Sequence, residues 1–399
     1  MEQRVSLTEQ EIQAAYIAEF DLGRGYPQLA LPRYVRKLYG NSAIAANALE
    51  VVPAWTREKQ LLLDHDLEAA AREFLSIDFG SYFSIRFTFS GSIALDRAIA
   101  AATLVASSSE SSRVGVITTS PSIDIMKLFL EERRYIDIWF VESRNAEPWG
   151  LDAGRVIDRL KALSRDSPRY PVIVLLTSPE NPTGQCWTSA DLTRIAAACD
   201  RVGAVLIVDH SFLVAGVHPR KAVPAIWDVL GQGSNWIAIW DTGKTFGLNE
   251  DKIGMVICGS ESVGKALDRS LSIIQYATPR RQSLLYATLF RKALRFNYTD
   301  YLSQVCRRNL ITAEGLLGDA EIELLKPAAG SLALIKIAEP DDEGVRHQLL
   351  MHGVGVISGS VFFHTDWQPC DLLRIALARD PDYFTRALTK LVREIKYRA

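Results

Sequence analysis

The sequence predicts an α/β protein: a large domain built on a mostly parallel sheet of the seven-stranded type between layers of helix, and a smaller C-terminal α/β domain. Three observations predict it. From about residue 81, runs of Val, Ile and Leu alternate with stretches that read as helices. Those runs are apolar at consecutive positions, as strands are when helices cover both faces of a parallel sheet. A chain of 399 residues is also too long for one small core, so two or more domains are expected.

Taken in order, Thr8 and Glu11 read as a capping box, with Ile12, Tyr16, Ile17 and Phe20 as the apolar face of the helix they start. Asp21-Leu22-Gly23-Arg24-Gly25-Tyr26-Pro27 is extended and interrupted by glycine: either a linker or an arm that crosses over to cover a site. A strand at 84–89 turns through Ser90-Gly91-Ser92 into a helix reaching residue 106, and the serine run 107–112 is of low complexity. Strands follow at 114–118, 136–141, 171–177, 204–208 and 237–240, with helices near 123–134, 153–164 and 190–201. Beyond 254–259 the chain reads as helical over roughly 261–316. The last unit has strands at 331–337, 354–357 and 372–378, a helix near 343–352 and a final helix from about 381. Residues 1–55 are expected to form an N-terminal segment that joins the small domain, 56–280 the large domain, and 281–399 the small one.

Charges nearly cancel, at a formal net charge of −2, so there is no basic footprint for nucleic acid. No apolar run approaches the roughly 18 residues that a membrane helix needs. Cysteines 186, 199, 258, 306 and 370 are scattered without a Cys-x-x-Cys pair, which points to reduced thiols in a cytoplasmic protein. The start of the chain, rich in Glu and Gln, is not expected to be a signal peptide. The six histidines show no metal-ligand spacing, and no metal is expected.

Four loops that follow strands carry chemistry. Ser90-Gly91-Ser92 opens a helix, where free N–H groups and the helix dipole favour a phosphate, although an ordinary helix cap reads the same way. Ser178-Pro179-Glu180-Asn181-Pro182-Thr183-Gly184 is a rigid turn that holds one amide, Asn181. Asp209 ends an apolar strand, and a carboxylate there needs a partner. Lys244, in Asp241-Thr242-Gly243-Lys244-Thr245, also follows a buried strand; it is either a surface lysine or, once desolvated, a nucleophile for a carbonyl. Arg374 lies inside a strand, where a guanidinium usually faces a carboxylate.

Together, and in this order, these segments resemble the class I/II aminotransferases, which have the pyridoxal 5′-phosphate (PLP)-dependent transferase fold, type I. The resemblance covers nearly the whole chain. It implies that Lys244 forms the Schiff base with the cofactor and later moves the proton on Cα. Asp209 would pair with the pyridine nitrogen, Asn181 would bond the phenolic oxygen, and Gly91, Ser92 and Lys252 would hold the phosphate, with Lys252 where the family usually has arginine. Arg374, with Asn181 beside it, would clamp the substrate carboxylate. The family is dimeric with shared active sites, and residues 276–281 are expected to contribute across the interface.

Three departures bear on the reaction. Phe212 stands where a tyrosine commonly bonds the phenolic oxygen, and Ile123 where an aromatic residue stacks on the ring. Asp241 replaces the usual serine near the phosphate. The motif Asp-Thr-Gly-Lys-Thr is similar to that of capreomycidine synthase, the arginine hydroxylase/oxidases and related cyclases. A guanidinium would answer the carboxylate of Asp241, so arginine or a hydroxyarginine is the expected substrate, with cyclisation, elimination or oxidation in natural-product biosynthesis as the outcome. Asp241 pairing instead with Lys252 or a backbone amide stays open, as does an ordinary aminotransferase. A non-enzymatic effector-binding domain would need a DNA-binding module, and the first 55 residues are too short and not basic.

Overall fold

The computed structural model describes residues 7–29, 33–39, 57–78, 80–106, 113–142, 151–166, 170–249, 251–275, 277–320, 322–338, 340–364 and 370–397. The serine run 107–112, Tyr276 and residues 40–56, where the first domain boundary is expected, lie outside them. The strands along the chain are β1 (Phe20–Asp21), β2 (Ser84–Thr88), β3 (Val114–Ser120), β4 (Ile136–Glu142), β5 (Val172–Thr177), β6 (Val205–Asp209), β7 (Trp236–Asp241), β8 (Gly254–Cys258), β9 (Glu323–Leu325), β10 (Leu332–Lys336), β11 (Val354–Gly355), β12 (Ile357–Ser358) and β13 (Leu372–Ala376).

Seven of them form one sheet in the order β2-β8-β7-β6-β5-β3-β4. The pairings from β4 across to β7 are parallel, while β8 runs antiparallel to both β7 and β2. β3, β5 and β7 are buried along their whole length. Their side chains alternate between two cores: Val172, Val174, Leu176 and Trp240 face one, and Ile173, Leu175, Ile237 and Ile239 the other. Helices Arg57–Leu75 and Arg280–Arg295 cover the first face, and Gly91–Ala106 and Glu261–Leu271 the second. Burial on both faces explains why the strands read as continuous apolar runs, each such side chain stabilising the fold by roughly 1.5–3 kcal/mol.

The reversed strand β8 aligns the active edge. Thr88 of β2 and Asp241 of β7 both pair with Gly254, so the carboxyl ends of β2 and β7 meet on either side of it. Thr177 pairs with Asp209 in the same way, placing the ends of β5 and β6 along the same edge.

A four-stranded antiparallel sheet, β12-β13-β10-β9, and a two-stranded parallel pair, β1 with β11, make up the rest. Helix Pro381–Lys396 covers them. Asp380 caps it by accepting from the N–H groups of Asp382 and Tyr383, Pro381 pre-sets its first turn, and Phe384, Ala387, Leu388 and Leu391 reach the core around Ile335, Leu373 and Ile375.

Three expectations are corrected. The helical stretch over 261–316 is three helices, Glu261–Leu271, Arg280–Arg295 and Tyr298–Gly318; Pro279 precedes the second, and Asn297, at a φ of 50°, separates the second from the third. The strand at 354–357 is two, because β1 claims Val354–Gly355 while β13 claims Ile357–Ser358. The first helix ends at Tyr16, with Tyr16 and Ile17 exposed and Phe20 in β1. Glu11 is engaged elsewhere: it accepts from the N–H of Ser358 at 2.7 Å and pairs with Arg346 at 3.1 Å.

Candidate active site

Lys244 sits half-buried in a single helical turn, Gly243–Phe246, directly after β7. Its Nζ lies 3.6 Å from the centroid of the Tyr26 ring and 5.5 Å from that of Phe212. Tyr26 belongs to the glycine-interrupted segment, which is therefore an arm over the lysine rather than a linker. The Lys244 ammonium draws the Tyr26 phenol below its ordinary pKa; Lys252 helps, while burial and Asp241 oppose.

One strand over, Asp209 closes β6. Among the described residues its side-chain hydrogen bonds fall on Oδ1, which accepts from the N–H of Ser211 at 2.8 Å and from its hydroxyl at 2.6 Å. Burial holds the carboxyl above its usual range, the Ser211 bonds pull it back, Asp241 adds to the rise and Lys244 lowers it. Oδ2 is left for another donor, and a cationic N–H is the partner such a buried carboxylate lacks.

The loop after β5 brings in Asn181. Its turn closes through the Gly184 N–H on the carbonyl of Glu180 and requires glycine: Gly184 has a φ of 67°, and a Cβ there would come 2.3 Å from Cβ of Pro327. Asn181 Oδ1 accepts from the guanidinium of Arg374 at 2.7 Å, and the other terminal nitrogen of Arg374 donates to the carbonyl of Gly23, also at 2.7 Å. Arg374 is fully buried in β13 and lies 5.0 Å from the Phe362 ring. Asn181 and Arg374 are thus brought together across the junction between the two sheets.

Phe212 packs with Leu332 and Ala376, and a Cβ on Gly25 would lie 3.1 Å from its ring, so the arm closes directly on it. Ile123 is half-buried against the core that lies over helix Gly91–Ala106. Ser92 is exposed at the start of that helix, and Lys252 is half-buried. His210, a neighbour of Asp209, is a satisfied core histidine: Nδ1 bonds the carbonyl of Ser178 and Nε2 accepts from the N–H of Ile226. Burial pushes its pKa down to about 3.

Asp241 does not wait for a cation. Oδ2 accepts from the N–H of Gly91 and Oδ1 from that of Gly243, each at 2.7 Å. The argument that an unpaired carboxylate there calls for a guanidinium is corrected, because backbone donors already answer the charge.

Sequence reasoning missed three residues. Tyr26 had a signal in Gly25-Tyr26-Pro27. Glu180 lies inside a quoted motif; it is buried, its carboxylate accepts from the hydroxyls of Thr119 and Thr183, and burial raises its pKa to about 7. Arg379 had no signal: its guanidinium is buried and donates to the carbonyls of Asp21, Arg24, Tyr26 and Ala378, tying down the arm.

These residues fit PLP at its reactive end, where an amine, a carboxylate with one oxygen open and an amide converge. At the phosphate end the fit is partial, since the Gly91 N–H is already taken by Asp241. The model of the Aminotransferase class I and II family matches residues 97–391. Histidinol-phosphate aminotransferase of Chlorobium limicola is 25% identical over 246 residues, which are 60% of this chain and 61% of that protein. Protein MalY of Escherichia coli is 28% identical over 136 residues, 34% of this chain and 32% of MalY, so the chain spans less than two thirds of these relatives. A structure of MppP soaked with its product 2-ketoarginine shares the fold at a TM-score of 0.76 and 21% identity, covering 94% of this chain and 99% of that one. The chain belongs to the class I and II aminotransferases, enzymes that depend on pyridoxal 5′-phosphate.

Proposed function

We propose that this protein converts a free L-amino acid with Lys244 as its catalytic amine. The observation that carries the proposal is the convergence of Lys244, Asp209 and the Asn181–Arg374 pair along one sheet edge beneath the arm. PLP supplies an aldehyde for the amine and a ring that takes up electrons from the substrate Cα. Lys244 Nζ holds the cofactor and then moves the Cα proton. Asp209 Oδ2 accepts from the protonated ring nitrogen and keeps the proton there. Arg374 holds the substrate carboxylate, oriented by Asn181, while Phe212 presents no hydroxyl to the ring oxygen. Tyr26 and the arm exclude water above Lys244, and Gly91, Ser92 and Lys252 lie at the phosphate end. The working form is proposed to be a homodimer in the cytoplasm, with residues 276–281 completing the partner's site.

For the side chain we propose arginine or a hydroxyarginine, leading to cyclisation, elimination or oxidation. The Asp-Thr-Gly-Lys-Thr motif and the fold shared with MppP support this. One observation favours the competing reading, amino transfer to a 2-oxo acid: both oxygens of Asp241 are already engaged. Borohydride reduction of the yellow protein is expected to fix the cofactor on the peptide carrying Lys244; a label elsewhere, or full turnover in Lys244→Ala, overturns the assignment. Titration with arginine, lysine, glutamate and phenylalanine, with products read by mass, separates the substrates. Conversion of glutamate or phenylalanine to the 2-oxo acid with arginine inert would leave the ordinary aminotransferase.

A further inference from the structure

The Asp241 carboxylate sits on the start of helix Gly91–Ala106, sixteen residues long, whose aligned peptide dipoles favour an anion there. It is only 4% exposed. The sheet puts it in place: Thr88 and Asp241 flank Gly254, and Ser90-Gly91 follow Thr88 after one residue, Phe89. The fit is close, since a Cβ on Gly91 would lie 2.8 Å from Oδ2 and one on Gly243 2.8 Å from Oδ1. A third donor of this turn, the N–H of Ile93, is taken by the Ser90 hydroxyl. Lys252 approaches the same corner, its Cδ 3.3 Å from where a Cβ on Gly243 would stand, yet Asp241 bonds backbone amides instead.

We infer that Asp241 is an internal competitor for the cofactor's phosphate: its carboxylate occupies the Gly91 amide at the helix start, so the phosphate enters by displacing it or by sharing the corner with a like charge. The inference rests on the PLP reading above and says which end of the cofactor this chain holds weakly. A carboxylate beside a phosphate dianion is repulsive, and every donor it keeps is lost to the phosphate. The amides in contest bond neither Lys244 nor Asp209, although the Asp241 charge does reach Asp209.

The test uses full-length wild type, Asp241→Ser and Asp241→Asn, each freed of cofactor. Each is titrated with PLP and, separately, with pyridoxal, which lacks the phosphate, following the absorbance of the Lys244 adduct. Inorganic phosphate is added to each in thermal unfolding as a probe of the corner alone. Both variants are expected to bind PLP at least about tenfold tighter than wild type, with pyridoxal affinity changed by less than about twofold. Inorganic phosphate is expected to raise their melting temperatures more than that of wild type. PLP affinity that is unchanged or weaker in the folded variants, or an equal gain for pyridoxal, overturns the inference. Agreement between the serine and asparagine variants guards against a fold effect of one substitution. Wild type forming no adduct with either ligand would instead overturn the PLP reading, and this inference with it.

Discussion

The two walls of the site are built in opposite ways. On the sheet wall, Asn181, Asp209, Asp241 and Lys244 each lie at or within a few residues of a strand's carboxyl end, held by strands whose backbone pairs with its neighbours. On the arm wall, Gly23 and Tyr26 are held by Arg374 and Arg379, which lie more than three hundred residues away in sequence. Groups on the first wall are positioned by local geometry and carry charge to the carboxyl edge of the sheet. Those on the second are positioned by two buried guanidiniums that differ in kind. Arg374 donates to a side chain, Asn181, and to the carbonyl of Gly23, whereas Arg379 donates to four carbonyls and lies 3.8 Å from Asp21 Oδ1. The first arrangement is the one proposed to open to a substrate carboxylate; the second ties down the arm.

The largest effect is expected on the sheet wall. Asp209→Asn keeps the shape of the carboxylate but not its charge, and should lower kcat about 10²–10³-fold, by analogy with losing one charge-stabilising group in a preorganised site. A kcat within a few-fold of wild type would show that Asp209 does not hold the proton on the ring.

On the arm wall the two arginines should separate. Arg374→Ala is expected to weaken amino-acid binding by roughly 2–5 kcal/mol, seen as a raised KM with the cofactor absorbance unchanged. Unchanged apparent affinity for every amino acid would remove Arg374 from substrate binding. Arg379→Met takes the guanidinium donor from the carbonyls of Asp21, Arg24 and Tyr26, while Ala378 keeps the N–H of Gln28, and should cost about 2–4 kcal/mol of stability. Hydrogen exchange should then quicken at residues 21–26; if the arm stays as protected as in wild type, Arg379 does not fasten it. Burial pulls the Arg379 pKa down to about 10, with Asp21 opposing, so the group stays charged at neutral pH.

The smallest effect belongs to Glu180, behind the sheet wall. Burial lifts its folded pKa to about 7, above the ordinary glutamate value of 4.5, so the native state binds more protons than the unfolded state between those values. Its contribution is fully present below about pH 4.5 and is lost as the pH rises through 7. Glu180→Gln should therefore match wild type in stability near pH 5 and exceed it by roughly 1–3 kcal/mol at pH 8. Parallel stability curves for the two proteins across that range would refute the burial argument.

The sequence by itself determined the sheet and its chemical edge. Continuous apolar runs alternating with helices read as strands covered on both faces, and a residue that ends such a strand falls at the sheet's carboxyl edge, so Asp209 and Lys244 stood out by position, while the roles expected of them came from the resemblance. It also carried false signals of the same local kind: Thr8–Glu11 has the spacing of a cap, but Glu11 is drawn to Ser358 and Arg346 by a helix and a strand that lie far along the chain. Tertiary structure alone decided the partners. Nothing local to Asp21 or Tyr26 points to Arg379, because the contact exists only once β1 has paired with β11. The same holds for Asp241. Its charge is plain in the sequence, but whether a guanidinium, Lys252 or a backbone amide would answer it depended on how β8 sets Thr88 opposite Gly254. That register carries the Gly91 N–H to within 2.7 Å of the carboxylate, a distance that no spacing of residues along the chain encodes.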